Sequence, residues 1–219
     1  MSVLYCAIPH FAAGLARRDD PALEGTPLVF VGPESRVFGV SAEAAACGVV
    51  AGVTVRTAEV RCPEARLLDA DVARCREEVE ALLQLLERTG PKVESHGWGA
   101  AYVDLDNLAR DRSDAVTLCR EIGRNVRREL GEALQPALGW DSSKFTAQAA
   151  ARHTRPGHLR AVATRQERGF LRPLVVTLLP LAEDVLERLC FLGLRTLGQY
   201  AALPLAAVWQ QFGRAGKRS

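Results

Sequence analysis

The chain has 219 residues, 48% hydrophobic and 25% charged, with a formal net charge of +2. This is the composition of a globular protein with material for one large or two small domains around a buried core. No apolar run is long enough to span a bilayer and the start lacks the basic region of a signal peptide, so a cytoplasmic protein without a membrane segment is expected. Charge is unevenly spread: residues 1–149 hold 17 Lys and Arg against 22 Asp and Glu, whereas residues 150–219 hold 11 against 4. A basic final third is compatible with phosphate contacts. The six cysteines, Cys6, Cys47, Cys62, Cys75, Cys119 and Cys190, form no Cys-x-x-Cys pair and no zinc spacing, and read as reduced structural cysteines.

Residues 3–8 read as a short buried strand, and Pro9 suits the first turn of a helix that turns Phe11 and Leu15 inward. Residues 27–32 and 36–40 are expected to pair as a hairpin through Gly32-Pro33-Glu34-Ser35. Ser41 is placed to cap a helix ending near Gly48. Asp71 opens the next helix, with Val72, Cys75, Val79, Leu82, Leu83 and Leu86 at helical spacing and Gly90-Pro91 as its stop. Strands are expected at 92–97 and 100–105. A helix capped by Ser113 follows, with Val116, Cys119, Ile122, Val126 and Leu130 on one stripe and Gly131 at its end. A strand at 135–140 and a helix at 143–154 complete the order strand, helix, strand, strand, helix, strand. That order is the split βαβ pattern of a ferredoxin-like sheet, interrupted by residues 19–70 after the first strand. From about 172 the chain reads as short helices, 182–192, 196–202 and 205–213.

Five fragments then carry a resemblance, in order along the chain. They are Leu4-Tyr5-Cys6-Ala7-Ile8-Pro9-His10-Phe11; Ser41-Ala42-Glu43-Ala44-Ala45 with the later Gly48-Val49, Gly52-Val53 and Cys62-Pro63; Ser95 through Leu105; Gly139 through Ala147 with the later Pro156-Gly157; and Leu192-Gly193-Leu194-Arg195-Thr196-Leu197-Gly198 through Pro204. Together they resemble the Y-family (DinB/UmuC-type) translesion DNA polymerases. The resemblance implies an α+β fold: a ferredoxin-like palm (1–18 and 71–171), inserted fingers (19–70) and a helix-hairpin-helix-like thumb (172–219), with the family's little finger absent from the sequence.

The resemblance also exposes departures. Ala7 stands where the family's first metal-binding aspartate is expected, Pro9 replaces the second residue of that motif, and Gly99 and Ala100 stand where Asp-Glu is expected. Ala42 and Ala45 replace the triphosphate-binding tyrosine and arginine. Leu179-Pro180-Leu181-Ala182 replaces a Gly-x-Gly hairpin. Lys144 is the one retained triphosphate position. Two-metal nucleotidyl transfer needs oxygen ligands around paired Mg²⁺ ions, and alanine and glycine side chains supply none. By strand rise alone, Asp104 lies about 13 Å from Ala100 and Glu94 about 16 Å from Gly99. His10 and His96 are expected at the rim of the pocket, partly buried; an unorthodox metal site built on His10, His96 and Asp104 is an alternative.

This set of losses resembles the ImuB-type branch of the family. The resemblance implies a non-catalytic adaptor in damage-induced (SOS) mutagenesis, needing no cofactor and linking an error-prone replicative-type polymerase to a RecA-like accessory protein and a sliding clamp. Weak primer-template DNA binding would fall to Arg188, Arg195, Thr196, Arg214 and Lys217, with Arg218 and Lys144 as further candidates. The competing readings are an active polymerase of the same fold and a protein-only scaffold that binds no DNA.

Overall fold

The computed structural model describes residues 2–90, 92–163 and 165–204. Two compact units result, residues 1–161 and 162–219.

The first unit opens with β1 (Val3–Ala7), α1 (Phe11–Asp19), β2 (Leu28–Val31), β3 (Val37–Val40), α2 (Ala42–Ala46), α3 (Val55–Arg61) and β4 (Arg66–Asp69). It continues with α4 (Val72–Glu87), β5 (Val93–Ser95), β6 (Ala100–Asp104), α5 (Arg112–Leu130), β7 (Ala137–Asp141), α6 (Lys144–Arg152) and β8 (Leu159–Ala161). The second unit contains α7 (Glu167–Leu171), α8 (Glu183–Phe191) and α9 (Leu197–Ala201).

The main sheet has the order β5-β6-β1-β7-β8. Its first four strands are antiparallel neighbours in the split βαβ arrangement expected from the sequence, and β8 adds parallel to β7. A separate three-stranded sheet, β3-β2-β4, is built from the interrupting segment. Strand alternation sorts β1 by face. Leu4 and Cys6 join Ala101, Val103, Leu138 and Trp140 in the main core, against α1, α4 and α5. Val3, Tyr5 and Ala7 face the other way with Ala100 and Tyr102, against Ala147 and Ala151 of α6.

Several local expectations are corrected. Pro9 precedes the helix rather than opening it. The helix starts at Phe11, and His10 is its N-cap in a left-handed conformation (φ 53°), with Nδ1–H donating to the Val40 carbonyl at 2.9 Å. Phe11 and Leu15 do point inward. Asp111, not Ser113, caps α5, because its carboxylate reaches the Asp114 N–H at 3.0 Å and leaves Ser113 in the first turn. The capping roles of Ser41 and Asp71 are met. The helix α3 and strand β4 were not expected: α3 buries only Ala58, and β4 carries no alternation of buried and exposed residues. The expected helix at 205–213 lies outside the described residues.

Arg17 of α1 reaches across to Glu43 in the first turn of α2, at 2.8 Å. Burial of Glu43 works against its charge. Hydrogen bonds from Ser41, from its own N–H and from Arg17, with the Arg17 charge, nevertheless hold its carboxyl below the usual carboxylate range. A carboxyl lowered by folding stabilises above its unfolded pKa, and that contribution is lost as pH falls through the folded one. Glu43→Gln is therefore expected to cost about 1 kcal/mol at neutral pH. Urea midpoints followed downward from pH 7 should show the two proteins converging in acid; a constant gap at every pH would remove this ion pair from the account.

Candidate functional site

The strand register places the site's floor. Ala7 of β1 pairs with Ala100 of β6 on one side and with Ala137 of β7 on the other, so three alanines stand side by side across the sheet. One row along, on the same face, come Glu94, Tyr102, Tyr5 and Gly139; the next holds Asp104, Val3 and Asp141. Successive same-face rows are about 6.6 Å apart, which keeps Asp104 and Asp141 about 13 Å from the alanine row. Each of those acids is otherwise engaged: Asp104 accepts from the Asp106 N–H, and Asp141 from the Ser143 N–H.

Gly99 is not a simple vacancy. Its φ of +70° is a conformation that L side chains rarely adopt, and a Cβ there would lie 2.5 Å from Phe11 Cδ2. Its carbonyl accepts from the Ile8 N–H at 2.8 Å. Phe11 fills the space a Cβ would take.

The β5–β6 hairpin folds Glu94 back opposite Tyr102, diagonal to Ala100 and about 8 Å from it. It is nevertheless committed to Lys144, with which it forms an ion pair. The Lys144 ammonium also sits 5.2 Å from the Tyr102 ring centroid. Lys144 is thus paired with Glu94 at the surface.

The aromatic part of the floor was not foreseen. The rings of Tyr5 and Tyr102 lie 4.7 Å apart, and His96 packs edge-on to both. The Tyr5 hydroxyl shares a 2.9 Å hydrogen bond with His96 Nδ1. Burial, followed by the neighbouring Tyr5, pushes the Tyr102 hydroxyl up to about 12. Alternation fixes the face of each tyrosine within its own strand, and the β1–β6 register is what sets Tyr5 opposite Tyr102.

His10 and His96 are both exposed, not partly buried, and they are held by different partners, the Val40 carbonyl and the Tyr5 hydroxyl. Among the described residues, the only His, Cys, Asp and Glu side chains gathered in threes at ligand distance are Cys47, Cys62 and Glu64. Ala42 and Ala45 lie on α2, the first exposed and the second half-buried. In the second unit, Arg188 and Arg195 are exposed. The Thr196 hydroxyl oxygen accepts from the Gln199 N–H in a capping box that begins α9. Arg214, Lys217 and Arg218 lie outside the described residues. Among the described residues the floor is apolar and aromatic with one ion pair, and no three acidic, His or Cys side chains converge on it.

Residues 6–152 match the impB/mucB/samB family. The chain is 26% identical over 215 residues to DNA polymerase IV of Dehalococcoides mccartyi (strain CBDB1), covering 96% of this chain and 55% of that protein. It is 26% identical over 219 residues to DNA polymerase IV of Yersinia pseudotuberculosis (strain IP 31758), covering 98% and 62%. Among solved structures, DinB from Sulfolobus solfataricus superposes with a TM-score of 0.85 at 22% identity, over 98% of this chain and 64% of that one. An insertion ternary complex of the Dbh DNA polymerase gives 0.81 at 21%, over 96% and 63%. The chain thus spans roughly half to three fifths of the length of these curated relatives.

Proposed function

This chain belongs to the impB/mucB/samB family of Y-family proteins homologous to DNA polymerase IV, and from that premise we propose that it is a non-catalytic member acting as an adaptor in damage-induced translesion synthesis. The observation that carries the reading is that Ala7 and Ala100, two of the three positions (with Gly99) where the resemblance expects carboxylates, stand side by side on the sheet. The Glu94–Lys144 ion pair supports it, since it occupies both the nearest acid and the retained triphosphate lysine. In this reading residues 1–18 and 71–171 are palm, 19–70 fingers and 172–219 thumb. The partners are an error-prone replicative-type polymerase, a RecA-like protein and a sliding clamp, together with primer-template DNA.

Manganese tests the site directly. With dNTP and primer-template present, electron paramagnetic resonance should find no spin-coupled Mn²⁺ pair on the chain. A coupled pair that disappears in His10→Ala or His96→Ala would replace this reading with that of an active enzyme.

DNA binding tests the adaptor's second half. Fluorescence anisotropy with a labelled primer-template should show weak binding that falls steeply with salt. Arg195→Ala should lower the slope of log affinity against log salt by about one if that side chain meets a phosphate. No binding at low salt would favour a scaffold that contacts proteins only.

A further inference from the structure

The subdomain around the small sheet holds a ligand set that sequence spacing concealed. Cys47 is the C-cap residue of α2 and Cys62 the C-cap residue of α3, fifteen residues downstream once the chain has turned back. Pro63 fixes the direction of the next step. The Ala65 N–H then closes onto the Cys62 carbonyl at 3.0 Å, and this turn carries Glu64 back beside the two thiols. The two sulfurs and a Glu64 carboxylate oxygen all lie within 4.8 Å of one another, with Cys47 Sγ 3.8 Å from Glu64 Oε1.

Those separations suit a tetrahedral ion. Zinc holds thiolate sulfur at about 2.3 Å and carboxylate oxygen at about 2.0–2.2 Å, so neighbouring ligand atoms on one ion stand about 3.6–3.8 Å apart. The surroundings are asymmetric. Cys62 is 1% exposed and backed by Val29, Val37, Ala44, Val49 and Ala58, whereas Cys47 is half-buried and Glu64 exposed. One side is dry and shaped; the other is open for water to complete the coordination. Two sulfurs and one carboxylate favour a soft or borderline cation over Mg²⁺ or Ca²⁺, which take oxygen ligands.

We propose that Cys47, Cys62 and Glu64 form a site for a thiophilic divalent cation of the zinc class, which ties the end of α2 to the turn that leads from α3 into β4. The site shares no residue with the alanine row.

Cobalt(II) is the probe. Titrated into the reduced full chain, it should bind at one equivalent, with a thiolate-to-cobalt charge-transfer band and tetrahedral d–d absorption. Cys47→Ser should abolish the charge-transfer band or weaken apparent affinity at least tenfold, and Glu64→Gln should weaken it at least tenfold, while Cys190→Ser in the second unit changes neither. Zinc should displace the cobalt and bleach the spectrum. Cys62→Ala truncates a fully buried side chain and is interpreted only if circular dichroism shows it folded; the two accessible ligands carry the test regardless. The proposal is overturned if the reduced, folded chain gives no charge-transfer band, or if the band survives Cys47→Ser and Glu64→Gln unchanged, or if it is lost with Cys190→Ser.

Discussion

Primer extension by this chain on a DNA primer-template, with either Mg²⁺ or Mn²⁺, is expected to give no product above a protein-free control, under conditions where a DNA polymerase IV extends the primer readily. Paired metal ions contribute several kcal/mol of transition-state charge stabilisation, and each 1.36 kcal/mol is a factor of ten. Loss of about 4 kcal/mol already removes about 10³ in rate. In the proposed reading Ala7, Gly99 and Ala100 offer no ligand to either ion, so the deficit should be at least that large. Ala7→Asp with Ala100→Glu should not recover synthesis, because the remaining acid belongs at Gly99. That position has a left-handed backbone and Phe11 against it. An L side chain in that conformation costs roughly 1–2 kcal/mol before Phe11 is displaced. Product formed by the unaltered chain, and sensitive to His10→Ala or His96→Ala, would defeat this account.

Gly139→Ala should be the most damaging conservative change in the main sheet. A Cβ on Gly139 would lie 1.9 Å from the Ala147 carbonyl oxygen and 2.5 Å from the Ala151 nitrogen. Both are backbone atoms of α6, so no side-chain rotation relieves the overlap, and the helix itself must lift from β7. Overpacking a core typically costs about 1–3 kcal/mol, and a fixed backbone obstacle belongs at or beyond the upper end. For a chain of this size that is a fall of roughly 6–12 °C in Tm, readable by thermal denaturation. Lifting α6 also carries Lys144 away from Glu94 and Tyr102. A Tm within a degree of wild type would show that α6 is not seated as described.

The palm-like sheet was legible because its strands alternate and its helices carry strong stripes. Cys119, Ile122, Val126 and Leu130 announce α5, and all four are buried. The small subdomain was read less well. The helix α3 buries one alanine, and β4 is mostly exposed, so neither leaves a periodic trace. At the site, the vacated positions followed from a resemblance in local motifs, and antiparallel register then set Ala7 against Ala100. Two features depended on distance in sequence. The place of Glu94 depended on the hairpin, because strand rise measures along the chain whereas the β5–β6 register folds it back opposite Tyr102. The Cys47–Cys62–Glu64 cluster was missed because spacing rules look for short cysteine repeats, whereas here two helix ends supply the cysteines and a following turn the glutamate.

His10 has a mechanical consequence. Its left-handed backbone turns the imidazole toward β3, where Nδ1–H holds the Val40 carbonyl. Trp98 packs edge-on against Phe38 of the same strand, with centroids 4.9 Å apart, and Arg17 grips Glu43. These three fasteners latch the small sheet to the large one along one seam. A swing that opened the seam would have to break all three contacts together, so its cost is shared by a hydrogen bond, a ring contact and an ion pair.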